Sequence, residues 1–174
     1  MITLNDLIAI CPRTNEAKLS LYVEPLNEAM EEFDISSNVE RETHFLAQVA
    51  HESGGFRYAQ EIASGEDYEG RKDLGNTEPG DGVRFKGRGL IQLTGRANYR
   101  ACGDDLGVDL VSQPELLESP VLAARSAAWY WYSRHLNELA DRGDTLAITK
   151  RINGGLRGIQ ERMAYLKAAQ QRLA

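Results

Sequence analysis

The sequence predicts a mainly α-helical domain that is interrupted by one irregular, glycine-rich segment. Through most of the chain, apolar residues recur every three to four positions, which is the period of an amphipathic helix. Residues 53–93 instead contain nine of the sixteen glycines and show little periodicity. We therefore expect helices on both sides of an irregular middle segment, within one domain that spans residues 1–174.

Two helices are predicted in the N-terminal part of the chain. Asn15 can cap the first of them. Its apolar positions are Leu19, Tyr22, Val23, Leu26, Met30 and Phe33. Ser37 and Glu40 have the spacing of a capping box, which predicts the start of a second helix. That helix runs to Glu52, where Ser53-Gly54-Gly55 ends it.

Three more helices are predicted in the C-terminal part. Ser119-Pro120 begins one of them, because proline is favoured at the first helical position. Asp144 can cap a helix over Thr145–Ile152, and the last helix covers Ile159–Leu173. Residues 129–131 (Trp-Tyr-Trp) lie on the first of these three helices. Since consecutive helical residues face different sides, at least one of these aromatic rings should face inward.

The irregular segment is expected to contain two short strands that form a small β-hairpin. They fall at Arg84-Phe85 and Leu90–Leu93. A long glycine-rich connection inside a domain is often functional. Because this segment directly follows Glu52, we expect the two to build one site.

Composition excludes several classes of protein. Hydrophobic residues make up 42% of the chain, which allows a real core and argues against disorder. No apolar run is long enough for stable membrane insertion, and Met1–Pro12 lacks the basic and apolar regions of a signal peptide. Cys11 and Cys102 are best interpreted as free thiols of a cytosolic chain, although a single bridge between them stays open.

The net charge of −6 is divided unevenly along the chain. Residues 1–82 hold 6 Lys and Arg against 17 Asp and Glu, a balance of −11, whereas residues 83–174 hold 14 against 9, a balance of +5. A basic half could favour an anionic polymer, such as a nucleic acid or a bacterial wall. Alternatively, the two halves attract each other. The cations form no dense run, so we expect no nucleic-acid partner.

Glu52 carries a carboxylate where the helical pattern calls for a hydrophobic residue. It lies on the same stripe as Phe45 and Val49. Burial on that stripe and the negative end of the helix dipole both disfavour the charged form. We therefore expect a carboxylic acid that keeps its proton near neutral pH, as a general acid requires. The alternative is a carboxylate frayed into water at the last helical turn.

Hydrolysis of a glycosidic bond uses two carboxyl groups in unlike environments. The second should be a charged carboxylate on a nearby polar loop. Five residues qualify: Glu61, Glu66, Asp67, Glu69 and Asp73. Spacing favours Glu61, because nine residues through Gly54-Gly55 can fold back onto the end of the helix.

Metal and nucleotide cofactors are not expected. His51-Glu52 would need a second histidine at position 55 to form a zinc-protease motif, and that residue is Gly55. Residues 66–73 lack the spacing of a calcium-binding loop. Gly87-Arg88-Gly89 is not followed by the Lys-Ser/Thr of a phosphate-binding loop.

Three stretches of the chain resemble glycoside hydrolase family 19. Phe45–Phe56 (FLAQVAHESGGF) resembles the motif that carries the catalytic acid of the family. Phe85–Tyr99 (FKGRGLIQLTGRANY) is similar to its Gly-Arg-Gly-x-Ile-Gln-Leu-Ser/Thr signature, and Ile152–Gly155 (INGG) matches a shorter element. With Tyr68–Asn76, the resemblance is nearest to short bacteriophage endolysins. It implies a lysozyme-like helical fold with a substrate cleft between two lobes.

The resemblance also implies roles for individual residues. Glu52 takes the position of the general acid and Glu61 that of the general base. Thr94 takes the position of the hydroxyl that holds the attacking water. Three further positions match sugar contacts: Gln92, Asn98 and Asn153. Ala97 departs from the plant pattern, which has a tyrosine there, and this weakens a chitin-specific interpretation.

Two of these residues have alternative structural interpretations. Thr94 could cap the helix that begins at Gly95, a common task for threonine that can coexist with water binding. Asn153, which precedes two glycines, could simply end a helix.

We therefore predict an endolysin that cleaves β-1,4 bonds of peptidoglycan glycan strands with inversion, its two carboxyl groups roughly 6.5–9.5 Å apart. It would act as a monomer, without a separate wall-binding domain. Lacking a signal peptide, it would accumulate in the host bacterial cytoplasm and reach the wall after the inner membrane opens. The cations of the last helix could contact the anionic envelope, or that helix is simply packed. The alternatives are a chitinase acting on N-acetylglucosamine polymers and a non-catalytic glycan-binding module.

Overall fold

The computed structural model describes residues 1–174 and is built from ten α-helices. The helices are α1 (Leu4–Ile10), α2 (Glu16–Ser20), α3 (Val23–Glu32), α4 (Val39–Glu52), α5 (Asp81–Arg84), α6 (Arg96–Leu106), α7 (Pro120–Ser133), α8 (Leu136–Asp141), α9 (Thr145–Asn153) and α10 (Ile159–Leu173). Short 3-10 turns occur at Glu66–Tyr68, Lys72–Leu74 and Pro114–Glu118. The predicted mainly helical fold class is confirmed.

The larger of two hydrophobic clusters contains 27 buried residues, contributed mainly by α1 to α4 and α7 to α10. Within it α4 packs along α10, and α3 packs along α7. Phe45 of α4 meets Trp131 of α7 edge to face, with ring centroids 5.5 Å apart. The indole of Trp131 is fully buried and donates to the Oδ1 of Asn137 at 2.9 Å. The apolar stripes of these helices thus form one lobe around α4 and α7.

The smaller cluster contains eight buried residues, most of them from α6 and the turns on either side of it. Phe85 and Tyr99 pack at 5.1 Å between ring centroids. Trp129 of α7 completes the cluster and donates to Asp105 Oδ2 at 2.7 Å. Because α7 directs Trp129 into this cluster and Trp131 into the larger one, it joins the two lobes. The expectation that at least one of these aromatic residues faces inward is confirmed.

The predicted β-hairpin is wrong. The first predicted strand overlaps the end of α5, at Arg84. The second predicted strand, Leu90–Leu93, lies in a loop that Arg88 and Leu93 close. These two residues exchange two backbone hydrogen bonds, of 3.1 and 2.9 Å. Gly89 (φ +80°) and Gln92 (φ +56°) adopt left-handed conformations inside that loop. An extended strand cannot include such residues, so the pairing stays an isolated bridge.

The single helix predicted after Asn15 is two helices, α2 and α3, with a break at residues 21 and 22. Pro25 explains the break. It has no N–H to donate to the carbonyl of Leu21, and its ring crowds that carbonyl. The Asn15 side chain does cap α2, accepting from the Lys18 N–H at 3.3 Å.

The start of α4 differs by one residue from the prediction. Asn38 is the N-cap, and its side chain accepts from the Arg41 N–H at 2.9 Å. Ser37 instead donates to the Asp34 carbonyl at 3.2 Å, so the capping box with Glu40 does not form. Asparagine is as effective an N-cap as serine. Because Asn38 is the N-cap, α4 begins at Val39.

The C-terminal helices follow the prediction closely. Pro120 is the first residue of α7, and Asp144 caps α9 by accepting from the Ala147 N–H at 3.1 Å. None of the ten helices has the length and apolar character needed to cross a bilayer. Cys11 and Cys102 are free thiols in different clusters, and burial raises the pKa of each to about 12. The alternative of a bridge between them is therefore wrong.

The uneven charge of the chain is largely matched within the molecule. Of nine ion pairs, six join residues 1–82 to residues 83–174. These six are Arg41–Asp141, His51–Glu161, Arg96–Asp81, Arg125–Glu32, Arg162–Glu52 and Arg172–Asp6. Two cations of α10 are thus bound to acids elsewhere in the fold. The proposed envelope contact is wrong for Arg162, which is 1% exposed.

Candidate active site

A groove of about 200 Å³ contains four of the residues that the sequence singled out. They are Glu52, Gln92, Thr94 and Asn98. The other lining residues are Leu74, Ile91, Leu93, Tyr130, Arg134 and Ile152. Ile91 belongs to the larger hydrophobic cluster and Leu93 to the smaller one, so the groove lies where the two lobes meet.

Glu52 is held at the edge of this groove by the way α4 ends. Ser53 donates from its hydroxyl to the Val49 carbonyl at 2.7 Å and accepts from the Phe56 N–H at 2.8 Å. Gly54-Gly55, with φ of +63° and +76°, then turns the chain away. The helix therefore stops at Glu52, and 23% of this side chain is exposed to solvent.

A buried guanidinium that sequence reasoning missed lies directly against Glu52. The Nη2 of Arg162 is 2.8 Å from Glu52 Oε1. The same guanidinium donates to Gln48 Oε1 at 2.7 Å and to the Arg157 carbonyl at 3.0 Å. The amide of Gln48 in turn donates to Thr149 Oγ1 at 3.1 Å. The expectation of a wholly apolar environment for Glu52 is therefore wrong, because its nearest charged neighbour is this fixed guanidinium.

Glu61, on the irregular segment, lies near one lining residue of the groove, Gln92, but is not itself one of the lining residues. Its Oε1 accepts from the Gly87 N–H at 2.6 Å, and its Oε2 accepts from the Tyr68 hydroxyl at 3.1 Å. A methyl group placed on Gly87 would lie 3.0 Å from Gln92 Oε1 and 3.4 Å from Glu61 Oε1. The side chains of Gln92 and Glu61 therefore both lie close to Gly87. Burial, together with the bond to Glu61, raises the pKa of Tyr68 and keeps its phenol a hydrogen-bond donor.

The remaining acidic candidates contact the loop around them. Glu69 accepts from the Gly80 and Gly82 N–H groups at 2.9 and 2.8 Å, and these bonds lower its pKa. Asp73 pairs with Arg71 at 2.6 Å. Two others, Glu66 and Asp67, are exposed. Their contacts therefore favour Glu61 as the second carboxylate of the site.

A short ladder of side-chain bonds orders the wall formed by residues 92–98. Gln92 donates to the Gly89 carbonyl at 3.0 Å, Thr94 donates to the Gln92 carbonyl at 3.0 Å, and Asn98 donates to the Thr94 carbonyl at 2.7 Å. The N-cap of α6 is Gly95, without a side-chain cap bond, so the capping alternative for Thr94 is wrong. The side-chain oxygens of all three polar residues accept no hydrogen bond from the protein.

Asn153 is the one predicted sugar contact that the groove does not include. It is exposed as the last residue of α9, while its neighbour Ile152 lines the groove. Gly154 follows in a left-handed conformation (φ +80°), and its N–H donates to the Lys150 carbonyl at 2.7 Å. This geometry matches the alternative interpretation, in which Asn153-Gly154 ends the helix.

Comparison with known proteins decides the family. The model of glycoside hydrolase family 19, described as chitinase class I, matches residues 33–143. The chain belongs to this family. The matched range includes Glu52, Glu61 and Thr94, together with the groove wall formed by residues 92–98. Membership confirms the resemblance of the sequence motifs to family 19 and makes the protein a glycosidase by family.

Two relatives show how far the similarity extends. A glycosyl hydrolase family 19 domain-containing protein of Haemophilus influenzae is 34% identical over 163 residues, covering 75% of this chain and 79% of its own. An endochitinase of Arabidopsis thaliana is 40% identical over 111 residues, which are 63% of this chain but only 38% of the endochitinase. The chain thus corresponds to less than half of the plant enzyme.

A solved structure confirms the fold. Chitinase C from Streptomyces griseus superimposes on 99% of this chain and 76% of its own, with a TM-score of 0.82 and 24% identity. The lysozyme-like helical architecture expected from the resemblance is therefore present.

Proposed function

We propose that this family 19 glycosidase is an endolysin that hydrolyses β-1,4 bonds of bacterial peptidoglycan by an inverting general acid and base mechanism. The proposal rests on Glu52 and Glu61, two carboxylates with different partners beside one groove. Inverting hydrolysis requires such a pair, because one group protonates the leaving oxygen while the other activates water on the opposite face of the sugar.

Glu52 is the proposed general acid. Its Oε2 makes no hydrogen bond within the protein, whereas Oε1 faces Arg162. With part of the side chain open to solvent, Oε2 can take up a proton and deliver it to the glycosidic oxygen. The carboxylate left behind is then stabilised by the guanidinium, which is already in place before the reaction. Preorganised charge of this kind favours the transition state, since negative charge develops on Glu52 as the proton leaves.

Glu61 is the proposed general base. The Gly87 N–H and the Tyr68 hydroxyl each donate to one of its oxygens and fix its orientation. Thr94 donates to the Gln92 carbonyl, which leaves its oxygen free to accept from a water molecule. We propose that this water lies between Thr94 and Glu61, loses a proton to Glu61 and attacks the anomeric carbon. Gln92 and Asn98 would bind the sugars on either side through their free amide oxygens.

The choice of peptidoglycan over chitin is supported by the surroundings of Ala97. A methyl group on Gly75 would approach the Ala97 Cβ to 2.6 Å, so the turn that ends at Gly75 lies directly against Ala97. The plant pattern has a tyrosine here, whereas this chain has an exposed methyl group beside the turn. The named chitinases among the relatives favour the alternative of a chitinase, which turbidity assays with peptidoglycan and chitin side by side would separate.

Substitution Glu52→Gln tests the proposal. It keeps the shape of the side chain but removes the transferable proton, and we expect lysis of purified cell walls to fall by at least about 100-fold. Glu115→Gln is the matched control, because Glu115 is exposed and unpaired. Substantial lysis by Glu52→Gln would contradict the assignment. Binding of intact walls with no turnover by the unsubstituted protein would instead indicate a non-catalytic glycan-binding module.

Two further measurements define the reaction. NMR of the first product should show the α-anomer, since one displacement inverts a β-linkage; an initial β-anomer would exclude this mechanism. The reducing-end sugar released from peptidoglycan identifies which of the two alternating bonds is cut. For a role in host lysis, cells expressing the protein should lyse when their inner membrane is permeabilised and remain intact otherwise.

A further inference from the structure

The groove contains one positive side chain that no acid neutralises. Arg134 is the only cation among its lining residues. No carboxylate lies within 4 Å of Arg134, and its side chain makes only a long 3.4 Å bond to Ser133 Oγ. The one negative group in the groove, Glu52, is already paired with Arg162. The groove therefore presents an unmatched positive charge close to the proposed acid.

The position of this charge is fixed by α7. The Arg134 guanidinium lies 3.7 Å from the ring centroid of Tyr130, one helical turn earlier, and such stacking favours a cation over the ring face. Arg134 is also the C-cap of α7, and its carbonyl accepts from Arg151 Nη1 at 3.0 Å. Backbone and side chain are thus both held before any ligand binds, which lowers the entropy cost of a contact.

The two candidate polymers differ in the group that such a cation would bind. Chitin is a neutral chain of N-acetylglucosamine. In peptidoglycan, every second sugar carries a lactyl ether whose carboxyl group is free or extended by a stem peptide, and that peptide bears carboxylates of its own. A guanidinium fork matches a carboxylate in charge and geometry and gains little from neutral sugar hydroxyls.

We propose that Arg134 binds a carboxylate of the lactyl or stem-peptide substituent and thereby selects peptidoglycan strands over neutral glycans. This assignment rests on the proposed function and names the substrate group recognised in the same groove. Arg134 acts here in binding and specificity. The amide oxygens of Gln92 and Asn98 would contact the sugars, while Arg134 alone would recognise the acidic substituent.

The test changes the charge of the protein and of the substrate separately. Soluble peptidoglycan strands are prepared with their carboxylates intact or converted to amides, and kcat/KM is measured for each. For the unsubstituted protein we expect amidation to lower kcat/KM about tenfold, mainly through KM, as for the loss of one charge-assisted contact. For Arg134→Gln the same amidation should change kcat/KM less than about twofold, because the partner charge is already gone.

Two further variants exclude simpler explanations. Arg142→Gln removes an exposed, unpaired cation outside the groove, so it should keep the full amidation effect. Arg134→Lys keeps a charge without the fork and should keep part of that effect.

Strands stripped of stem peptides retain only the lactyl carboxylate. An amidation effect on these strands would show that Arg134 binds the free lactyl carboxylate, and its absence would restrict the contact to carboxylates of the stem peptide.

Two results would overturn the assignment. One is equal kcat/KM of the unsubstituted protein on acidic and amidated strands. The other is an undiminished amidation effect in Arg134→Gln. Both leave the proposed hydrolysis of peptidoglycan standing, since cleavage is still measured. Absence of any cleavage of either substrate is a different outcome, which overturns the proposed function and this assignment with it.

Discussion

Substitution Arg162→Met should destabilise the protein by about 3 kcal/mol, at the lower end of the cost of breaking a buried ion pair. The structure indicates where this cost arises. Gln48 Oε1, in a side chain that is 1% exposed, loses its donor, which costs about 1–3 kcal/mol for an unsatisfied buried group. Glu52 loses its counter-charge, but at 23% exposure it can be hydrated, so its share is about 1 kcal/mol or less.

Urea unfolding followed by circular dichroism measures this effect. With a slope of about 2 kcal/mol per molar urea, the midpoint should fall by roughly 1.5 M. Arg142→Met is the control, because Arg142 is exposed and has no partner, and its midpoint should stay within about 0.3 M. If Arg162→Met behaves like this control, the guanidinium does not hold Glu52 and Gln48 in place, and the described origin of the active-site geometry is wrong.

Two other predictions concern the irregular segment and the surface. Gly75→Ala should cost at least about 1 kcal/mol more than Gly70→Ala in thermal unfolding. Both positions have positive φ, but only at Gly75 would the new methyl group meet another atom, the Ala97 Cβ at 2.6 Å. Arg41 lowers the pKa of Asp141 from its usual 3.8 to about 2. The advantage of the protein over Asp141→Asn, about 1 kcal/mol after solvent screening, should therefore be complete above about pH 4 and fade towards pH 2; an advantage that does not change with pH would contradict this.

Helices whose apolar pattern extends over many residues could be predicted from the sequence, but their boundaries depended on single residues. The stripe after Asn15 is continuous in sequence, yet Pro25 divides it because a missing N–H outweighs the pattern. The helix α1 was not predicted, since seven residues are too few to show a period. Its signal was the capping box of Thr3 and Asp6, whose reciprocal bonds of 3.3 and 2.8 Å are present in the structure.

In the candidate site, sequence motifs identified the residues that lie close to one another in the chain. A partner that is distant in sequence, Arg162, was missed. Glu52 and Arg162 are 110 positions apart, so no local pattern could join them. A signal for Arg162 was nevertheless present. It lies four residues before Leu166 and seven before Ala169, on the buried stripe of α10, which is the same kind of anomaly that identified Glu52. A charge on one apolar stripe should prompt a search for its opposite on another.

The two tryptophans of the chain provide an independent optical probe for each half of the molecule. Trp129 reports on the smaller hydrophobic cluster and Trp131 on the larger one, although both residues belong to α7. Phenylalanine at either position would leave a single tryptophan. In each variant, a fluorescence melting curve that coincides with the circular dichroism curve would mean that the halves unfold as one cooperative unit. A fluorescence curve displaced from the circular dichroism curve of the same variant would mean that one wall of the groove can loosen while the opposite wall persists.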